Sequence, residues 1–415
     1  LGDLRFVHRK TLSAIARRVA RESRLWYVSL PLKRSTMSSV VALATIQQVA
    51  AIILFSTDDP SANTTEPTAD LAGSGWQFEG NWGGVLGTPI APHFFASAAH
   101  VGGQGTFIYQ GETYTIVRGF NVPGTDLQLW QVVETFPNYA ALYTKRDEVG
   151  KPFVVIGRGT QRGAPVSLNN QLHGWYWGPV DGVWRWGQNV VDHILVYQFP
   201  QNELLVAPFD QAGLTNEAIL SSGDSGGAVF INDGGTWKLA GINFAVDGPF
   251  YTDAAGSGEF NAALFDARGF YQPDGGGQYV LIDDPQPVPA STYATRISAQ
   301  IAAIYSITDP SGDADHDGIS NLLEYAMHLD ALVPDANGLP TIERSGDTVS
   351  LVYRKNDAAS DLTYSVEQSS DLTTWTTAQT TDQVLSDTNG TKTIRATISG
   401  VSASRLFLRL RVTRP

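Results

Sequence analysis

Between residues 76 and 285 the chain is a succession of short β-rich runs cut by Gly, Asn, Asp and Pro turns, with little helical periodicity. Short strands spaced by turn residues bury their apolar faces only against one another, so the pattern predicts a mainly β barrel or sandwich. At 415 residues and 42% hydrophobic content, with ten tryptophans, the chain is long enough for two or three domains. No repeat of 20 to 50 residues and no second long apolar span is visible.

Within this β-rich stretch, Gly223-Asp224-Ser225-Gly226-Gly227 gives Ser225 the surroundings of a nucleophile. A serine attacks a carbonyl well when its oxygen is exposed on a tight turn, a base takes its proton, and N–H groups meet the developing oxyanion. Gly223 and Gly226 permit such a turn, and the Gly223 and Ser225 amides are the candidate oxyanion donors.

The base is sought among seven histidines. His8, His316 and His328 lie in a basic leader or an acidic C-terminal segment, and His93 and His173 read as structural or solvated. His100 ends Phe94-Phe95-Ala96-Ser97-Ala98-Ala99, a run that shrinks to small residues and so admits a closely packed imidazole. Its orienting carboxylate is read as Asp126, at the entrance of an alternating apolar strand that follows the turn Pro123-Gly124-Thr125. Asp192, directly before His193, competes; in a strand over 190–196 the two side chains would point to opposite faces, which favours Asp126.

Taken together, Ser97-Ala98-Ala99-His100, Asp126-Leu127-Gln128-Leu129 and Gly223 to Gly227 resemble the three motifs of the trypsin/chymotrypsin-like serine peptidases, in that family's order. Trp237 to Ile242 and Tyr293 to Ser298 echo it more weakly, so the likeness covers about residues 70 to 307. The resemblance implies two six-stranded β-barrels with the triad at their junction, then a C-terminal helix, and a protein or peptide substrate cleaved through an acyl-enzyme. No cofactor is implied for catalysis.

The sequence also departs from that family. There is no cysteine to form its usual disulfides, and no Ile-Val-Gly-Gly of an activated N-terminus, which leaves the partner of Asp224 open. Phe244, or Asn243 with a one-residue shift, stands where a serine usually supports the catalytic aspartate. Ile219 stands where trypsins carry the aspartate of the specificity pocket, so the resemblance implies a preference for apolar or small side chains over Lys or Arg. A Gly- and Asp-rich insertion over 246–290 is a further candidate to reshape that pocket.

A formal charge of −13 argues against a nucleic-acid partner, which would require a basic footprint. Nine Lys and Arg fall within the first 34 positions and a mostly apolar run follows over 38–56. This reads as an export signal or membrane anchor, with the remainder secreted, periplasmic or on the cell surface. An exported bacterial protein would also account for the absence of cysteine.

A second composition begins near Asp309. Asp313-Ala314-Asp315-His316-Asp317-Gly318-Ile319-Ser320-Asn321-Leu322-Leu323-Glu324 carries oxygen ligands at alternate positions, glycine at the sixth and glutamate at the twelfth, the pattern of a Ca2+ loop. Asp313, Asp315, Asp317 and Glu324 are the candidate side-chain ligands, Ile319 a carbonyl ligand, and Asn321 a direct or water-mediated one. The loop resembles bacterial thrombospondin type 3-like or dockerin-like loops and implies a structural clasp. After it, a short helix over 322–329 and strands over 348–353, 362–368, 391–398 and 404–412 predict a small β-sandwich that resembles accessory modules of exported bacterial enzymes. A cell surface or a polymer is its candidate contact.

The expected organisation is a leader and linker over 1–64, a protease-like domain over 65–307, a calcium loop and helix over 308–337, and the sandwich over 338–415. A serine endopeptidase is the first functional reading. An inactive or weakly active protease-like adhesion protein is the second.

Overall fold

The structure is a computed structural model that describes residues 52–199, 201–335, 338–401 and 405–415. Most of the basic and apolar leader therefore lies outside the described residues. No helix among the described residues is long and apolar enough to cross a membrane. The fold is mainly β, and the chain divides into two units. Of the described residues, one comprises those up to Gly119 together with Asp126–Ala299, the other those in Phe120–Thr125 and Gln300–Pro415.

Two antiparallel sheets of seven strands each form the frame of the first unit. The sheet that carries the His100 motif runs in the order Glu112–Tyr114, Phe107–Tyr109, Gly80–Trp82, Val85–Ala91, Phe94–Ala98, Leu127–Val132, with Ile116–Asn121 at its edge. Its inward positions supply Trp82, Phe95, Phe107, Tyr109 and Tyr114, all buried, and the Phe95 and Phe107 rings stack at 4.0 Å. The second sheet orders Arg185–Val190, Pro152–Gly157, Ala228–Asp233, Thr236–Val246, Ser291–Arg296, Glu203–Pro208 and His193–Val196. Each sheet thus holds one strand more than the six expected. In the second, the weakly matching Tyr293 to Ser298 ends in a buried ion pair: Arg296 bonds Glu148, with Nε to Oε1 at 2.9 Å, and also bonds Glu203.

Two departures from the expected boundaries arise from burial. Ile53 and Leu54, read as the end of the apolar leader run, form a strand against Ile219 and Ala218. Ile52, Ile53 and Leu54 are buried, and Phe55 packs its edge on Trp175 and Phe209. This tetrapeptide is apolar because it fills the protein core, and the folded unit begins by residue 52 rather than 65. Likewise the 246–290 insertion is no loose loop. Its strand Ala262–Leu264 pairs with Gln171–Val180, and Phe250, Phe265 and Phe270 join Ile219, Phe209 and Trp175 in one core cluster.

The second unit contains helices Ile301–Thr308 and Asn321–Met327 and a two-sheet sandwich. The C-terminal helix expected of the first unit therefore groups with the second. One sheet runs Thr341–Ser345, Thr348–Asn356, Thr391–Ile398, Thr381–Thr388; the other runs Thr376–Thr377, Thr363–Ser369, Phe407–Thr413. Leu351, Tyr353, Ile394 and Ala396 of the first meet Val366 of the second in the core. Helix Asn321–Met327 is tied to this sandwich: Asn356 Nδ2 donates to the Tyr325 carbonyl at 2.9 Å, and the Tyr364 hydroxyl to the Ala326 carbonyl at 2.8 Å. Loop, helix and sandwich form a single unit.

Candidate active site

Strand register brings the first two site residues together. Phe94–Ala98 pairs antiparallel with Leu127–Val132 so that Ala98 faces Leu127. The next pair outward is Ala99 with Asp126, and the Ala99 N–H donates to the Asp126 carbonyl at 2.6 Å. A single 3-10 turn over Ala99–Val101 then swings His100 across the carboxylate. The His100 N–H donates to Asp126 Oδ1 at 2.9 Å, while Nδ1 lies 2.7 Å from Oδ2.

Ser225 comes from the loop between Ala218–Ile219 and Ala228–Asp233, and its Oγ lies 2.8 Å from His100 Nε2. With Nδ1–H given to Asp126, Nε2 is left as the acceptor for the serine proton. Burial lowers the imidazole pKa, but the hydrogen bond and charge of Asp126 outweigh it and hold the value above that of ordinary histidine. The three residues can therefore transfer a proton from Ser225 to a base whose charged form is stabilised. Among the described residues, neither the Gly223 N–H nor the Ser225 N–H donates to a protein acceptor.

The loop takes its shape from left-handed glycines and buried anchors. Gly223 has φ +96° and Gly226 φ +85°. A Cβ on Gly226 would lie 2.3 Å from Ser97 Oγ and 2.7 Å from the Leu86 carbonyl, which also accounts for the small residues ahead of His100. Gly226→Ala is expected to displace Ser225 and to lower kcat/KM about 100-fold or more, since misplacement by an ångström costs that much. Steady-state hydrolysis checks it, and unchanged turnover would contradict the role of the turn.

Asp224 is fully buried beneath this turn, and its partner proves to be a ring of donors. Oδ1 accepts from Gly159 N at 2.6 Å and Ile52 N at 3.2 Å; Oδ2 accepts from Ser221 N at 2.7 Å and Ser221 Oγ at 3.0 Å. Ile52, the first described residue, thus ties the N-terminal strand directly to the nucleophile loop. Neither candidate on strand Thr236–Val246 supports Asp126. Asn243 Nδ2 bonds the Asp224 carbonyl at 3.1 Å and the Ile156 carbonyl at 2.9 Å, while its N–H donates to Gly227 O at 2.8 Å. Asn243 braces the nucleophile loop, and Phe244 instead sets its ring edge-on to His100 at 6.0 Å.

Other sequence expectations fall elsewhere. Ile219 is 0% exposed, because Ile53 and the apolar side chains of the 246–290 insertion cover it. It offers no surface to a substrate side chain, which corrects its assignment to a specificity pocket. His193 Nδ1 lies 2.7 Å from Asp192 Oδ2, against expectation: Asp192 precedes the strand His193–Val196, so strand alternation does not separate them. His173 is buried with Nδ1 2.7 Å from the Asp266 carbonyl, a structural role, and His93 Nδ1 meets the Glu134 carbonyl at 3.0 Å.

The buried carboxyls of the same unit include Glu79, whose pKa burial raises, and three more whose values rise with it. Burial pushes Asp224 and Asp247 up to about 6 and Glu217 up to about 7, against the hydrogen bonds each accepts. A raised acid pKa favours the protonated folded form, so this stability is full below about pH 4 and is lost as pH rises through 6 to 7. Thermal unfolding of the Ser225→Ala protein at fixed calcium should show the midpoint falling by about 5 °C or more from pH 5 to pH 8. A flat or rising midpoint would contradict it.

No family model matches this chain, and no curated protein does. Among solved structures, it is similar to neuropsin, a serine protease of mouse brain, at 13% identity and TM-score 0.35, covering 57% of this chain and 96% of that one. It is also similar to the Rv3671c protease from M. tuberculosis in its active form, at 14% identity and TM-score 0.31, covering 54% and 72%. Likeness this distant says nothing of chemistry. The site is read from its own geometry.

Proposed function

We propose that this chain is a serine endopeptidase. The observation that carries the reading is the chain of contacts Asp126 Oδ2, His100 Nδ1, His100 Nε2, Ser225 Oγ, at 2.7 and 2.8 Å. Ser225 Oγ attacks the scissile carbonyl as His100 Nε2 takes its proton, and the Gly223 and Ser225 amides receive the oxyanion. His100 then protonates the leaving amine, an acyl-enzyme forms on Ser225, and water activated by His100 hydrolyses it. Cleavage of casein and of a peptide library tests this, and a folded protein that cleaves neither would contradict it.

A second reading, a protease-like binding protein, draws on the covering of Ile219. It predicts a folded protein with no hydrolysis. Export rests on the basic and apolar residues that precede Ile52, and any signal must end before that residue because Ile52 to Phe55 belong to the fold. The sandwich is proposed to contact a surface or a polymer.

A further inference from the structure

The second unit holds an acidic cluster that its own protein groups do not neutralise. Ligand oxygens of Asp313, Asp315 and Asp317 lie within 4.8 Å of one another, and so do those of Asp317, Glu324 and Asp335. Asp317 belongs to both sets. Among the described residues no Lys or Arg forms an ion pair with any of the five.

Glu324 is the telling member. Its side chain is 0% exposed, and neither carboxylate oxygen has a hydrogen-bond partner; Asp315 Oδ2 and Asp335 Oδ1 are buried without one as well. An ionised carboxylate in that condition costs several kcal/mol unless a cation meets it.

The cluster also differs from the loop read in the sequence. Asn321 turns its side chain inward, Oδ1 accepting from Ala314 N at 3.2 Å and Nδ2 donating to the Asp309 carbonyl at 2.8 Å. Both of its polar ends are occupied within the loop, so it braces rather than ligates. Asp335, eleven residues beyond Glu324, stands at the cluster instead, its N–H held by Asp317 Oδ2 at 2.9 Å. Ile319 buries its side chain with Met327 and Leu329, which pins the loop to helix Asn321–Met327.

We infer that Asp313, Asp315, Asp317, Glu324 and Asp335 form a Ca2+ site in which Asp335, from outside the twelve-residue loop, takes the place expected of Asn321. The Ile319 carbonyl, at the seventh loop position, is a further oxygen for it. An all-oxygen set of five carboxylates and a backbone carbonyl suits Ca2+ better than Mg2+, which keeps several waters and takes few carboxylates. Since helix Asn321–Met327 is bonded to the sandwich, the ion joins loop, helix and the segment at Asp335 into one folded piece.

Calorimetric titration of CaCl2 into the chelated full-length Ser225→Ala protein tests this. It should give a Kd of about 10 µM or tighter, with a rise in the thermal midpoint. Asp335→Asn and Glu324→Gln are each expected to weaken binding at least tenfold, whereas Asp330→Asn, a nearby acid outside the cluster, stays within twofold. Absence of binding by the folded protein, tighter binding of Mg2+ than of Ca2+, or unchanged affinity in Asp335→Asn would overturn the assignment. Should Glu324→Gln fail to fold, the titration of the chelated protein and the Asp335→Asn comparison still decide it.

Discussion

Ser225→Ala is expected to lower kcat/KM for peptide hydrolysis by about a millionfold while leaving the thermal midpoint within about 2 °C. The reason is that, among the described residues, Oγ bonds only His100 Nε2, at 2.8 Å, and Ser225 carries no part of the core. Loss of a nucleophile removes the acyl-enzyme route entirely, leaving only the stabilisation that binding and oxyanion donors give to water attack. Retention of more than about 1% of the activity would place the nucleophile elsewhere.

Asp126→Asn is expected to cost about 10,000-fold in kcat. Asp126 does two things that an amide cannot do together: it receives the Nδ1 proton at 2.7 Å, which sets the tautomer, and its charge favours the imidazolium. The pH profile separates this from misfolding. His100 must be neutral to act as base, and Asp126 raises its pKa, so the acid limb of kcat/KM in the wild type lies above pH 6.5 and moves down in Asp126→Asn. An unmoved acid limb would show that the carboxylate does not act on His100.

How much of this was legible in the sequence follows the range of the interactions. The three residues that meet at the candidate site were legible because each lies in a short local pattern: small residues before His100, a strand entrance at Asp126, a glycine turn around Ser225. The spacing of the acidic residues over 313–324 was legible for the same reason. What supports these groups was not, because it arrives from distant parts of the chain.

Asn243 bonds a carbonyl 87 positions away, and the Ile52 amide reaches Asp224 across 172. The apolar run over 38–56 reads as membrane-directed, and nothing local says that its last residues are core. Asp335 lies outside the loop whose spacing defines the motif. Ile219 looked like the floor of a pocket until the insertion, whose strands are only three residues long, proved to be folded over it. In the sandwich, Thr381–Thr388 went unread because all eight residues are exposed and no apolar alternation marks them.

The reactivity of Ser225 Oγ tests the proposed function most directly. Incubation of the folded full-length protein with a fluorophosphonate probe, followed by intact mass and peptide mapping, should show a single adduct on Ser225 that is absent from Ser225→Ala and much slowed in Asp126→Asn. A folded wild-type protein that takes up no probe, or takes it up at another residue, would contradict the proposal that this site is a working serine peptidase.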